Sequence, residues 1–449
     1  MAPLRVGLVG VGFAGKAHLA NLRRVHGLEV EVSAVTSARA ASRDAFARVY
    51  GLRAVADVSA MLPLVDVVDI CSPPSHHEEA ILLAAGAGKH VICEKPLSGY
   101  FGPAAGCHAL TSSPGEALAK SGPLGRACVR RTTRTCPSAK TRKGMAPNAA
   151  APDTAPGSPV TTNDDWRGDL APKGPMLSAV VEHLGKLASA VRKSGVTFCY
   201  AENFVYAPTV QKEREIVEKS GARLLRMIGE ESHSGSTSPV YGIWRFAGGG
   251  SLMGKGCHPL TALLYLKRVE GIARKGKPIR PRSVTCRCEK LTKLDGFQDK
   301  GFLRTGYRDI EDHCWAHVTF EDGTVGDVIA GEVVMGGLYS YIEVFADNHR
   351  TRCNLSPAAL METFNPSGPQ FKDIYTVEKI GTKEGWAALA PDEGYTLGVQ
   401  GEMQDFLTCI ARGGRPQSDL ELALDTITTI YAAYVSDEKG GCVQDVPLL

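Results

Sequence analysis

Short apolar runs alternate with segments of helical periodicity over the first hundred residues. Four continuous apolar runs predict buried strands, at residues 4–9, 30–35, 66–71 and 90–93. Residues 16–26 and 77–87 lie between them and carry helical patterns. Parallel strands need a crossover connection, which such helices supply. The pattern therefore predicts an α/β domain with a doubly wound parallel sheet.

Regular patterns resume after residue 176 with a different character. The sequence predicts an amphipathic helix over residues 177–194, a buried strand over 196–201 and closing helices over 397–412 and 419–436. Between them lie β-type segments at 223–230, 284–289, 314–320, 324–334 and 341–345. The turn Glu321-Asp322-Gly323 predicts a hairpin between two of these segments. An α+β domain with an open, mainly antiparallel sheet is therefore expected.

The segment 102–175 separates the two patterns and shares neither periodicity. It contains ten prolines, and seven Lys or Arg residues occur between Arg126 and Lys143 without an acidic residue. Such a composition predicts an irregular insertion. A solvent-exposed loop is favoured over a segment that binds a polyanion. The predicted domains are residues 1–101 with 176–205 for the α/β domain, 102–175 for the insertion and 206–449 for the α+β domain.

The composition excludes several protein classes. The 449 residues carry 51 basic and 48 acidic side chains, and the formal net charge of +3 gives no field for binding nucleic acid. No stretch approaches the roughly 20 consecutive apolar residues of a membrane helix. The 13 cysteines lack paired CxxC spacing, so reduced thiols in a cytoplasmic protein are expected. Cys286 and Cys288 are expected on opposite faces of a strand, and no metal site is predicted.

A glycine-rich turn follows the first predicted strand directly. The run Gly10-Val11-Gly12-Phe13-Ala14-Gly15 fits the pattern G-x-G-x-x-G at the junction of a strand and a helix. The first glycine permits a tight turn, the second lets the backbone approach a pyrophosphate, and the third lets the helix pack closely on the strand. With Phe13 and Ala14 in the turn, the motif predicts a dinucleotide-binding Rossmann domain.

The end of the second strand bears on which dinucleotide is bound. A Rossmann fold that binds NAD commonly places an acidic residue there, on the ribose 2′-hydroxyl. Here the strand is followed by Ser37 and Arg39, with Arg43 behind them. A neutral serine and an arginine slightly favour NADP over NAD, because the guanidinium could pair with a 2′-phosphate. Alternatively, these arginines only solvate the start of a helix.

Three further stretches resemble the Gfo/Idh/MocA family, which includes glucose-fructose oxidoreductase and inositol dehydrogenase. They read SPPSHH at residues 72–77, EKP at 94–96 and GGGSLMGKGCH at 248–258. The resemblance covers residues 4–101 and about 177–436. It implies a Rossmann domain joined to an open-sheet domain that binds the substrate and often forms the oligomer interface. It also implies a nicotinamide cofactor and a hydroxyl substrate such as a sugar or polyol.

The resemblance assigns roles to individual residues. Lys95 matches the lysine that binds the reacting hydroxyl and the cofactor, and His258 matches the histidine that contacts substrate and often serves as acid or base. Glu94 is expected to orient the site beside the cofactor. Ser72, Pro73 and His77 match the segment over which the nicotinamide lies, although His77 could instead simply begin a helix.

One position departs from the family pattern. The family typically has an aspartate where this chain has Gly254, and the aspartate often found three residues after the histidine is Thr261. Either Lys95 and His258 suffice, or Lys255 or a carboxylate from elsewhere substitutes, or the reaction differs. The carboxylate candidates are Glu230 with Glu231, and Glu202 beside Asn203. Tyr206 and Trp244 could stack on a sugar ring, although core positions are the commoner role of such aromatics.

The sequence therefore predicts an NAD(P)-dependent oxidoreductase that moves a hydride between nicotinamide and a hydroxyl or keto carbon of a sugar, sugar derivative or cyclic polyol. The alternative is a glycoside-cleaving or lyase enzyme that uses tightly bound nicotinamide in a closed cycle of oxidation, elimination and reduction. A non-catalytic sensor is a third possibility. The family's sheet faces imply a homodimer or homotetramer, without nucleic-acid or membrane partners.

Overall fold

The computed structural model describes residues 3–102, 173–236, 238 and 241–449. Nearly all of the predicted insertion, 102–175, lies outside the described residues. Its last residues, from Lys173, belong to a helix that was predicted to begin at residue 177.

The first sheet has six parallel strands, and the predicted fold class is confirmed. The strand order is β3-β2-β1-β4-β5-β6. Chain order reverses between β1 and β4, so a crevice opens at the carboxyl ends of these two strands. The strands are β1 Leu4–Val9, β2 Val30–Thr36, β3 Arg53–Ala54, β4 Val67–Ile70, β5 His90–Glu94 and β6 Phe198–Ala201.

In the part of the chain that the structure describes, five helices accompany this sheet, and two of them, the second and third along the chain, were not predicted. The helix expected at residues 16–26 begins three residues earlier, because Gly12 is its N-cap. Only Phe46 and Ala47 are buried in the unpredicted second helix, so it lacks a clear apolar stripe. The helices are α1 Phe13–Leu22, α2 Ala40–Tyr50, α3 Val58–Met61, α4 His77–Gly86 and α5 Lys173–Ser194.

The second sheet has seven strands in the order β12-β11-β7-β10-β9-β8-β15. All neighbours are antiparallel except β7 and β10, and β9 and β10 form the hairpin predicted at residues 321–323. A separate ribbon pairs β13 Met361–Asn365 with β14 Gly385–Leu389. The sheet strands are β7 Leu224–Ser232, β8 Pro281–Glu289, β9 His313–Phe320, β10 Val325–Gly331, β11 Tyr339–Ala346, β12 Arg350–Asn354 and β15 Gln444–Asp445.

Cys286 and Cys288 lie on the same side of β8, so their predicted placement on opposite faces was wrong. Side chains alternate along a strand, and residues two apart therefore share a face. The two sulfur atoms are 3.7 Å apart.

Helices cover one face of the second sheet. Gly229 and Gly326 leave room on that face, since a Cβ at either position would lie within 2.8 Å of Pro259 or Leu263. The helix Cys257–Lys275, which was not predicted, is buried along most of its length. Among the described residues, no helix is both long and apolar enough to cross a bilayer. The helices described after β6 are α6 Pro208–Ser220, α7 Trp244–Ala247, α8 Cys257–Lys275, α9 Glu393–Thr396, α10 Val399–Arg412 and α11 Leu420–Glu438, of which α9 and α10 lie beside α1 instead of the second sheet.

Asp419 ties the two sheets together at the start of α11. Its carboxylate caps the helix by accepting the Leu422 N–H at 3.0 Å, and it receives two hydrogen bonds of 2.8 Å from Arg268 of α8. Its backbone bridges Cys199 of β6. Burial alone would raise the pKa of Asp419, but Arg268 and Arg415 outweigh it and hold the pKa below the usual carboxyl value.

Replacing Asp419 with alanine is expected to lower the free energy of unfolding by about 3 kcal/mol, because the cap is lost and the largely buried Arg268 is left unpaired. Urea denaturation measures this loss. The matched control is Asp392→Ala, which removes the N-cap of α9 and an exposed pair with Arg24, and should cost about 1 kcal/mol. Since the folded pKa of Asp419 is lowered, the loss of stability in Asp419→Ala relative to wild type should shrink as the pH falls below the usual carboxyl pKa. Equal losses for the two variants would contradict this assignment.

Candidate functional site

The glycine-rich turn between β1 and α1 has the geometry that its sequence predicts. Gly10 has a φ of +108°, and a Cβ there would lie 2.6 Å from the Cys71 carbonyl oxygen. A Cβ at Gly15 would lie 2.2 Å from the Gly10 carbonyl oxygen. At Gly12, in contrast, a Cβ would meet no atom within 4 Å. The first and third glycines are thus needed for packing, whereas the second leaves open space.

That open space faces a helix start suited to an anion. Gly12 caps α1 without a side-chain hydrogen bond, and the first turn contains no acidic residue. The next residue, Phe13, is 76% exposed. Opposite, at the end of β4, the Ser72 hydroxyl oxygen is buried and has no partner among the described residues. An uncapped helix start and an unpaired hydroxyl fit the pyrophosphate of a dinucleotide.

The residues after β2 are only partly free to recognise a ribose. Ser37 is half-buried, and Arg39 is exposed at the N-cap of α2. Arg43 is already engaged, since it donates to the Val55 carbonyl at 3.2 Å and to Asp44 at 2.8 Å. Arg39 is therefore the remaining candidate for a 2′-phosphate at this point.

His77 differs from the expectation that it lies beside the nicotinamide. It is fully buried as the first residue of α4, and its ring nitrogens lie 2.8 Å from the Ser72 carbonyl oxygen and 3.0 Å from that of Pro96. Burial lowers the pKa of His77. The ring holds together the two loops that follow β4 and β5, while Pro73 is exposed and Ser72 is half-buried.

Lys95 follows β5 at the carboxyl edge of the first sheet. Its peptide bond to Pro96 is cis, and its ammonium donates to the Gly254 carbonyl at 2.8 Å. Burial alone would lower the pKa of Lys95, but Cys257, Glu231 and further acidic neighbours outweigh it and raise the pKa. The lysine therefore carries its charge at neutral pH.

A buried network beneath the turn holds Lys95 in place. One Glu94 oxygen accepts the Lys95 N–H at 2.8 Å, and the other lies 3.2 Å from Nε2 of His18. Nδ1 of His18 lies 2.9 Å from Asp69. Burial alone would lower the pKa of His18, but Asp69 outweighs it and raises the pKa. Glu94 thus orients Lys95. His18 was not predicted from the sequence, because its only signal is a polar side chain on the face of α1 that packs on the sheet.

His258, the second residue of α8, faces two carboxylates. Its Nδ1 lies 2.5 Å from Glu202, directly after β6, and its Nε2 lies 3.9 Å from Glu231 of β7. Its ring stacks on Phe204 with centroids 5.0 Å apart. Of the candidates for the missing carboxylate, Glu202 therefore contacts the histidine directly.

Both carboxylates are buried around the lysine. Glu202 has no exposed surface, and its second oxygen has no partner among the described residues. Burial raises the pKa of Glu231, although His258 and Lys95 oppose the shift. Glu202 and Glu231 also act on the charge of Lys95. The ammonium, the imidazole and the two carboxylates therefore form one electrostatic group.

Tyr241 explains the glycine at position 254. A Cβ on Gly254 would lie 2.5 Å from the Tyr241 hydroxyl, so the tyrosine occupies the space that an aspartate side chain would need. That hydroxyl donates to Glu332 at 2.7 Å, and the Lys255 ammonium pairs with the same carboxylate. Lys255, one of the substitutes considered for the missing acid, is therefore already paired with Glu332.

The structure gives Tyr206 and Trp244 packing roles instead of the substrate contacts considered for them. Both side chains are almost fully buried. The Tyr206 hydroxyl donates to Asp405 at 2.8 Å and accepts the Ser418 N–H at 2.9 Å. The Trp244 indole donates to the Tyr100 carbonyl at 3.1 Å. Neither ring has a free face for a sugar.

An open cavity of about 950 Å³ lies beside the glycine turn. Phe13 contributes from the start of α1, and Tyr241, Tyr307 and Tyr375 contribute from the second half of the chain. Polar groups on its wall include Lys379, whose φ of 61° is unusual for a residue with a side chain. The aromatic and polar lining suits a ligand with hydroxyl groups.

Comparison with known proteins identifies the first domain. Residues 4–111 match the Gfo/Idh/MocA oxidoreductase family, described as an NAD-binding Rossmann fold. The chain is 42% identical over 99 residues to D-glucoside 3-dehydrogenase of Escherichia coli strain K12, and 33% identical over 98 residues to myo-inositol 2-dehydrogenase of Thermotoga maritima. Each match covers 21% of this chain, and 28% and 29% of those relatives. The family resemblance is confirmed.

Solved structures share the fold of the whole chain. GenD2 from gentamicin A biosynthesis, in complex with NAD, has a TM-score of 0.68 at 18% identity and covers 100% of this chain and 97% of its own. Scyllo-inositol dehydrogenase from Lactobacillus casei, with NAD(H) and scyllo-inositol, has a TM-score of 0.61 at 14% identity and covers 99% of both chains. At this identity, the likeness shows the fold alone.

Two glycine substitutions should separate binding from packing. Gly12→Ala places a methyl group in the open space, so NADH affinity should fall at least about tenfold while the free energy of unfolding stays near the wild-type value. Gly15→Ala, the control, collides with the Gly10 carbonyl and should cost about 1–3 kcal/mol of stability. Fluorescence titration with NADH and urea denaturation measure the two effects. Wild-type NADH affinity in Gly12→Ala would refute the pyrophosphate assignment.

Proposed function

The first domain of this chain belongs to the Gfo/Idh/MocA family of oxidoreductases, and from that premise we propose that the protein is an NAD(P)-dependent oxidoreductase. It acts on a hydroxyl or keto carbon of a sugar, sugar derivative or cyclic polyol. The proposal rests on one observation: the Lys95 ammonium donates to the carbonyl of Gly254, in the segment that leads to His258. The names of the relatives, a glucoside dehydrogenase and an inositol dehydrogenase, support this substrate class.

The bound nicotinamide would accept or return the hydride. Lys95, which stays charged, stabilises negative charge on the reacting oxygen. Nε2 of His258 takes the hydroxyl proton during oxidation and returns it during reduction. Glu202 on Nδ1 selects the tautomer whose Nε2 is free to act as a base, and it stabilises the imidazolium that forms. The positioning residues are Glu94 and His18, which fix the backbone of Lys95.

The main reason for considering a glycoside-cleaving or lyase enzyme with a closed redox cycle no longer applies. It arose from the missing aspartate at Gly254, but Glu202 supplies a carboxylate to His258, and the Gly254 carbonyl itself accepts from Lys95. The relatives named above are dehydrogenases. A non-catalytic sensor would have no need for a buried lysine and histidine held by carboxylates. Net reduction of added coenzyme by a sugar or polyol distinguishes the dehydrogenase from both.

The cofactor is a nicotinamide dinucleotide, and the slight preference for NADP gains no support. Among the described residues that follow β2, Arg39 is left for a 2′-phosphate, because Arg43 is bound to Val55 and Asp44. The two similar structures described above contain NAD or NAD(H). We therefore favour NAD for this chain.

A homo-oligomer and a cytoplasmic location stay predictions. The face of the second sheet that the helices leave uncovered presents Trp315, 40% exposed, and Tyr339, 44% exposed. Exposed aromatics on a sheet face suit a contact between subunits.

The first test replaces Lys95 with methionine, which keeps the length of the side chain and removes its charge. With a panel of sugars and polyols and each coenzyme, kcat should fall by about 10²–10⁴-fold while NADH affinity changes little. The matched control is Lys89→Met at the amino end of the same strand, which should keep wild-type turnover. Unchanged kcat in the Lys95 variant, with any substrate that the wild type turns over, would remove the lysine from the mechanism.

The second test replaces Glu202 with glutamine. An amide N–H facing Nδ1 favours the tautomer with a protonated Nε2, so kcat should fall by about 10²-fold or more while KM stays within a few-fold of wild type. Glu230→Gln, on the opposite face of β7 from Glu231, is the control and should leave kcat unchanged. A raised KM with unchanged kcat in Glu202→Gln would assign Glu202 to substrate binding instead.

A further inference from the structure

Three cysteine sulfurs form a compact triangle on the second sheet. Cys286 and Cys288 belong to β8, and Cys314 belongs to β9. The sulfur of Cys314 lies 3.3 Å from that of Cys286 and 3.6 Å from that of Cys288, and the remaining side is 3.7 Å. Cys288 is directly opposite Cys314 in the strand register. The backbone of one hairpin-like strand pair therefore fixes all three sulfurs.

The size of the triangle matches the coordination of a metal ion. Thiolates bound to tetrahedral zinc at about 2.3 Å are about 3.8 Å from one another. Two sides of the observed triangle are within 0.2 Å of that value, and the third is somewhat shorter. A disulfide, by contrast, needs two sulfurs about 2.05 Å apart and would leave the third thiol unpaired.

The last turn of α11 fixes the backbone of β8 beside the triangle. The N–H groups of Cys286 and Cys288 donate at 2.9 Å to the Ser436 hydroxyl and the Asp437 carboxylate of that turn. Cys286 and Cys314 are fully buried, whereas Cys288 is half-buried and leaves a path to solvent.

We propose that Cys286, Cys288 and Cys314 form a three-thiolate site for a thiophilic divalent metal ion, Zn²⁺, with water as the fourth ligand. Each thiol that binds loses its proton to solvent, and no electron transfer is involved. The site shares no residue with the group around Lys95 and His258, so it goes beyond the proposed function. Its role is structural: it joins β8 and β9 beside the end of α11.

The test uses the full chain, reduced, stripped of metal by a chelator and then titrated with Co²⁺ and Zn²⁺. Co²⁺ should bind with a stoichiometry near one per chain and give the ultraviolet charge-transfer absorption of thiolate ligation. Zn²⁺ should displace it, and competition with a chromophoric chelator measures the Zn²⁺ affinity. Loss of an outer-shell partner weakens metal sites by about 10–100-fold, so Cys314→Ser or Cys286→Ser should weaken Zn²⁺ binding at least about 100-fold.

Two control variants address other thiols. Cys353→Ser replaces a buried free cysteine in β12 of the same sheet, and Cys442→Ser replaces an exposed one. Both should retain wild-type Zn²⁺ affinity. A similar loss in either control would overturn the assignment, as would absence of the charge-transfer band in the wild-type chain, a measurement that does not depend on how any variant folds. A Cys288–Cys314 or Cys286–Cys314 disulfide, found by peptide mapping together with no Zn²⁺ binding after reduction, would also overturn it.

Discussion

The candidate site depends on one buried charge, the ammonium of Lys95. A buried ion is costly unless hydrogen bonds and opposite charges compensate it. The Gly254 carbonyl accepts a hydrogen bond from the ammonium, Glu94 accepts one from the Lys95 backbone N–H, and Glu202 and Glu231 supply negative charge nearby. These partners come from both halves of the chain, so the requirement to compensate the lysine also holds the two halves in register.

The same requirement explains how the chain functions without an aspartate at position 254. Tyr241 fills the space that an aspartate side chain would need at position 254, and it donates to Glu332. Glu332 also pairs with the neighbouring Lys255. The carboxylate reaches His258 from a different element, the end of β6, in the form of Glu202. A motif comparison detects the missing acid because it compares aligned positions. The compensating acid is 52 residues away in sequence and is recognised only by distance in space.

How far the sequence predicts this structure depends on how local each feature is. Five strands of the first sheet and the glycine turn are specified by contiguous apolar runs and by backbone sterics, and they were predicted, whereas the two-residue, exposed β3 was not. Helix α8 was missed because its buried residues include charged ones such as Lys267 and Glu270, which interrupt the apolar pattern. His18 was missed because its partners Asp69 and Glu94 are far away in sequence. For Tyr206 and Trp244, the sequence suggested a role that the structure does not support. Their ring type suggested sugar binding, but hydrogen bonds to Asp405 and Tyr100 give them packing roles.

Helix α11 connects the cysteine triangle with the candidate site. Its first turn is capped by Asp419, which reaches α8 through Arg268 and bridges β6 through Cys199. Its last turn accepts the N–H groups of Cys286 and Cys288. Glu202 follows β6 and His258 begins α8, so the two elements that bring these side chains together are anchored to one end of the helix. A metal ion at the other end would stiffen the same helix, and a structural site could thereby help to hold the acid–base pair at its contact distance.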